Sequence, residues 1–163
     1  MQLWKQLERC AVVAAISAPL SFGGVASAQD KPVTDILVAM RAELKSDCSG
    51  KLEFFPGTIE MTDLNDDRRD DAIIDYDYVM CDGAPIGFCG TGGCRMDLWI
   101  DIGKQRYVRS VNMLSQGLKI RKQNGRTVLA ISVHGSECGK SGAAACTVTG
   151  QFRGRKFDVL SRR

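Results

Sequence analysis

Histidine is almost absent from this chain. His134 is the only one, so every histidine-dependent mechanism would have to run through it. Its surroundings, Val133-His134-Gly135-Ser136-Glu137, hold base, nucleophile and acid types. Residues adjacent in sequence do not in general form a triad, however, because triad members meet through folding. No G-x-S-x-G elbow accompanies them, and His134 reads as a hydrogen-bonding structural residue at a strand end. Aromatics make up only 7% of the chain, few with which to line the cleft across which a glycosidase holds its acid and base. No C-x-x-C pair occurs, which argues against a thiol redox enzyme and against a zinc knuckle. The glycine-rich CGTGGC at 89–94 lacks the lysine and following helix of a phosphate loop and reads as a tight disulfide turn.

Long apolar runs are also missing. After Ala28 nothing approaches the roughly 18–20 apolar residues of a membrane helix. A shorter run, CAVVAAISAPL at 10–20, follows a segment bearing Lys5 and Arg9 and leads to Ala26-Ser27-Ala28. Charged start, short apolar core and small residues before a cut are the three parts of an export signal. We therefore expect a signal peptide at 1–28, cleavage after Ala28, and a mature domain at 29–163. Leu7-Glu8-Arg9 before Cys10 does not suit a lipoprotein anchor, so no membrane anchor is expected after cleavage.

Removing Cys10 leaves six cysteines: Cys48, Cys81, Cys89, Cys94, Cys138 and Cys146. An even number in a small exported domain reads as a disulfide framework rather than a zinc site. Six cysteines allow 15 pairings. Proximity and glycine content favour Cys89–Cys94 and Cys138–Cys146, with Cys48–Cys81 following by elimination. The fold expected is α+β and mostly β, a short amino-terminal helix followed by an antiparallel meander of short strands. Thr34 or Asp35 can cap a helix to about Lys45, with Ile36, Leu37, Met40 and Leu44 at helical spacing. Strands are predicted at 52–55, 58–63, 72–80, 96–102, 106–114, 118–122, 127–133, 147–152 and 156–160. Asn124-Gly125 suits a tight hairpin turn, and Arg153-Gly154-Arg155 a second short turn.

The most informative stretch is Asp63-Leu64-Asn65-Asp66-Asp67-Arg68-Arg69-Asp70-Asp71, which precedes a strand. Oxygens of Asp63, Asn65 and Asp67 at alternate positions, with Asp71 four residues on, can converge on a hard cation such as calcium. The stretch resembles the D-x-N-G-D-G-x-x-D loop of FG-GAP and VCBS repeats, which implies a possible calcium cofactor. Asp66 and Arg68 stand where that pattern has glycine. A metal-free turn, with Arg68 and Arg69 neutralising the carboxylates, and an acidic protein-binding surface are the other readings. More widely, the leader, FCGTGGC, the His134–Gly139 segment HGSECG and the basic end resemble a set of small exported proteins of Gram-negative bacteria, notably α-proteobacteria. That resemblance implies the periplasm and brings no activity with it.

Charge is uneven. From 103 to the end there are 13 basic residues against two acidic ones, while 60–82 is strongly acidic. Export argues against nucleic acid as the target of the basic half. The function expected is a non-enzymatic periplasmic module with a protein partner, such as an inhibitor or immunity protein against a cell-wall hydrolase. The alternatives are a calcium-stabilised envelope- or carbohydrate-binding domain and a small hydrolase.

Overall fold

Asp35 sets the start of the one α-helix among the described residues. The protein is seen here as a computed structural model that describes residues 31–163; the leader and its cleavage point lie outside the described residues. The Asp35 carboxylate accepts the Val38 N–H at 3.0 Å, supplying a partner to a first-turn donor that the helix cannot satisfy itself. The helix, α1 (Ile36–Glu43), tightens into a 3-10 turn at Leu44–Ser46. Ile36, Met40 and Leu44 make its buried stripe, whereas Leu37 lies partly exposed.

Twelve strands follow: β1 (Leu52–Phe54), β2 (Ile59–Thr62), β3 (Asp71–Asp75), β4 (Val79–Cys81), β5 (Ala84–Pro85), β6 (Cys89–Gly90), β7 (Gly93–Asp101), β8 (Tyr107–Ser115), β9 (Gly117–Gln123), β10 (Arg126–Val133), β11 (Cys146–Arg153) and β12 (Lys156–Arg162). Every strand pairing is antiparallel. The strands form three sheets, β1-β4-β5, β2-β3-β7 with β6 and β8 also on β7, and the plain meander β9-β10-β11-β12. The expectation of a mostly-β fold behind one short helix is what the structure shows.

One predicted strand divides. The run 72–80 breaks at a 3-10 turn, Tyr76–Tyr78, because the Asp75 side chain accepts the Asp77 N–H and starts a turn. The break lets β3 stay in the central sheet while β4 moves into the small one. Hydrophobicity alone could not reveal it, since Tyr76 is buried and Val79 is too. The hairpin at Asn124-Gly125 has positive φ at both residues, 53° and 76°, the left-handed pair that a two-residue turn between twisted strands requires.

Side-chain alternation places the two cores. Ile73, Met96, Leu98, Ile100 and Val111 on one face of the central sheet meet Leu129, Ile131, Val148 and Phe152 of the meander. Ala72, Ile74, Tyr76 and Trp99 on the other face meet Ile36, Met40 and Leu44 of the helical segment. The central sheet is thus covered on both sides, which explains why β3 is apolar at consecutive rather than alternate positions. Three disulfides, Cys48–Cys81, Cys89–Cys94 and Cys138–Cys146, close the structure. They are the pairs that proximity and elimination favoured.

Candidate functional site

The acidic loop before β3 is built around its own carboxylates. Asp63 Oδ1 accepts the N–H groups of Asn65, Asp66 and Asp67 at 2.7–3.2 Å, and its Oδ2 accepts that of Arg68 at 2.8 Å. Asp66 and Arg68 take φ of 65° and 67°, so both positions where the repeat pattern has glycine adopt the left-handed backbone that glycine favours. Asp66 turns outward onto β9 and β10, where its carboxylate meets Lys122 Nζ at 2.6 Å and the Thr127 hydroxyl at 2.7 Å. Partial burial would raise its pKa, but the ammonium and the Thr127 donors outweigh that and bring it down to about 2.

The backbone takes the shape of a cation loop, and its donors are engaged by protein groups. Asp67 Oδ2 is held by the Arg69 guanidinium at 2.5 Å and by the Asn65 amide at 2.9 Å. Asp71 is fully buried, and its two oxygens accept the Leu64 and Asp101 N–H groups at 2.9 Å each. Among the described residues, Asp63, Asp67 and Asp71 do not bring three carboxylate oxygens within 4.8 Å of one another. The cluster that does satisfy that spacing is Asp77 with Cys89 and Cys94, whose sulfurs are bonded to each other and are no thiolate ligands. Burial, together with the nearby Asp67 and Asp63 charges, pushes the Asp71 carboxyl up to about 6 despite its two N–H partners.

His134 ends β10. Its Nδ1 lies 2.8 Å from the Ser136 hydroxyl, the local contact expected of neighbours two residues apart. Glu137 turns away and pairs with Arg162 at 3.2 Å. A side chain at Gly142 would lie 2.3 Å from His134 Nε2, so the far side of the ring is packed against that glycine. Among the described residues no carboxylate is hydrogen-bonded to the imidazole, which separates this pair from a catalytic triad.

The sequence reading missed a buried charge network on the helix side of the central sheet. Asp97, with no exposed side-chain surface, pairs with Arg95 and Arg109 at 3.1 Å each. It also accepts from the Tyr76 hydroxyl at 2.9 Å and from the Asn112 amide. Glu43 of α1 bridges the same two arginines. Burial alone would raise its pKa, and the arginines lower it below the usual carboxylate range. Arg95 lies 4.3 Å over the Tyr76 ring and Arg109 4.8 Å over Trp99. Every carboxylate is compensated, so the network pins α1 to the sheet and offers no reactive group. Its signal was the pair Arg95 and Asp97, two residues apart on one face of an otherwise apolar strand.

A groove remains along the flank where β8 of the central sheet faces β12 of the meander. Its deep part is a pocket of about 140 Å³ between Val111, Met113, Phe157 and Val159, with Arg155, Lys156 and Arg162 around it. It continues past Asn112, Met113 and Arg162 into an open cleft of about 510 Å³ bounded by Leu114, His134 and Glu137. Leu114, in the cleft, and Val159, in the pocket, are 51% and 41% exposed. No family model, curated protein or solved structure matches the chain. The geometry must carry the functional reading by itself. A second cleft, about 530 Å³, opens where Leu118 and Ile120 of β9 overhang Ile73, Glu60 and Asp75; it carries carboxylates where the β8–β12 groove carries cations.

Proposed function

We propose that the mature chain is a non-enzymatic binding module that works outside the cytosol, in the periplasm, on a protein partner. An inhibitor or immunity protein is the kind of molecule this describes. The observation that carries the reading is the β8–β12 groove, where two large apolar side chains, Leu114 and Val159, stay exposed beside a formed pocket and a set of cations. Exposed apolar surface of this kind, rimmed by polar groups, marks interaction sites on folded proteins. The isolated His134–Ser136 contact and the compensated Asp97 network give catalysis no comparable support. Three disulfides favour binding by a preorganised surface, because ordering costs on association are then small.

The test is capture from a periplasmic extract by the tagged mature chain, run beside a Leu114→Asp/Val159→Asp variant whose melting midpoint matches the wild type. The expected result is a discrete partner retained by the wild type and lost by the variant. An empty eluate, or the same proteins recovered with both, would sink the reading.

For the acidic loop, we infer a turn held by protein groups alone. Arg69 on Asp67 and the two amides on Asp71 support that reading over a calcium cage.

A further inference from the structure

The groove along β8 and β12 has a composition that selects among partners. An apolar cavity of roughly 150 Å³ accepts a group about the size of benzene, and the pocket between Met113, Phe157 and Val159 measures about 140 Å³. That volume suits one aromatic or large aliphatic side chain and no long acyl tail. The cations around it come from two places on the chain. Arg155 and Lys156 sit at the β11–β12 turn, and Arg162 lies at the far end of β12. No carboxylate lines the pocket; Asp158, beside it on β12, pairs with Lys156 at 3.3 Å while the lysine stays largely exposed. In the adjoining cleft the one acidic residue is Glu137, and its carboxylate is already engaged by Arg162.

We infer that this groove docks an acidic segment of the partner protein, with an aromatic or large aliphatic residue seated in the pocket and flanking aspartates or glutamates over Arg155, Lys156 and Arg162. The inference rests on the binding-module reading and names the partner's chemistry. The physical logic is that of an interface hot spot. A buried apolar anchor supplies the affinity, while complementary charge around it speeds encounter and disfavours basic partners. Leu114, in the adjoining cleft, extends the apolar strip beyond the pocket, so the segment covers several residues and not one side chain alone.

The test is selection of displayed random dodecapeptides on the mature domain, with disulfides intact. Enriched peptides are expected to carry an aromatic or leucine flanked by acidic residues. In fluorescence anisotropy their binding should weaken at least ten-fold on replacing the anchor by alanine. A similar loss is expected in a Val159→Trp variant, which fills the pocket, and in Arg155→Glu/Lys156→Glu. Unchanged melting midpoints would show that both variants are folded. Enriched peptides without acidic bias, or binding indifferent to these changes, would overturn the assignment. The two proposals fail separately. If the periplasmic partner is captured equally by wild type and Val159→Trp, the binding module stands and the pocket is not its docking site; if nothing is captured, the module reading itself falls.

Discussion

Asp71 is a carboxyl group buried where a neutral group would be at less cost. Its pKa of about 6 lies above the ordinary 3.8, so between those values the folded chain keeps a proton that the unfolded chain releases. Its contribution to stability is therefore fully present below about pH 4 and is lost as pH rises through 6. Asp66, lowered to about 2, acts in the opposite sense: its contribution is present above about pH 4 and fades as pH falls through 2. Comparing wild type with Asp71→Asn isolates the first effect. Urea midpoints at pH 4, 5, 6 and 7 should show the variant's deficit shrinking with pH, by roughly 2–3 kcal/mol across the range at about 1.4 kcal/mol per pKa unit. A deficit that is flat or grows with pH would contradict this. Much at this scale was legible in the sequence. The Asp63-x-Asn65-x-Asp67 spacing pointed to a tight loop, and the positive φ at Arg68 is what a sharp turn at that position asks of the backbone. That Asp66 would leave the loop for Lys122 and Thr127 was not legible, because those residues lie more than fifty positions away and meet it only after β9 and β10 pair.

Among the elements, the acidic loop and the disulfides make separable claims. The loop as proposed is held by its own amides and by Arg69 without a cation. The melting midpoint of the mature domain should then be the same in millimolar calcium and in excess chelator, and a rise of several degrees with calcium would restore the cation-loop reading. Cys48–Cys81 ties the end of the helical segment to β4 across 33 residues, whereas Cys89–Cys94 spans five. Loop-closure entropy assigns the long bridge roughly 4 kcal/mol and the short one roughly 2 kcal/mol. Replacing Cys48 and Cys81 by alanine should thus lower the urea midpoint more than replacing Cys89 and Cys94, with equal losses telling against the argument. Strand positions were readable from alternation in β7 and β10. The divided run at Tyr76 was not, since a side-chain turn at Asp75 competes with strand pairing and leaves the apolar pattern untouched.

Taken whole, the molecule keeps its charges apart without a long seam of pairing between them. Lys122 on Asp66 is one link between the acidic stretch and the basic meander, while the Arg95, Arg109, Glu43 and Asp97 network is internal to the central sheet and its helix. Around the β8–β12 groove Lys156 pairs with Asp158 and Arg162 with Glu137, both at the surface, where an acidic segment of a partner competes for them. The layering that creates the groove could not be read from the sequence, because it depends on which strand edges are left facing each other. The pattern of bridges has a further consequence. Each of the six cysteines among the described residues pairs with its neighbour in sequence order, Cys48 with Cys81, Cys89 with Cys94 and Cys138 with Cys146. A polypeptide entering an oxidising compartment amino end first can close each bridge as its second sulfur emerges. Of the 15 pairings that six cysteines permit, the one present is the set that simple order of arrival yields, so export as proposed would place little demand on an isomerase.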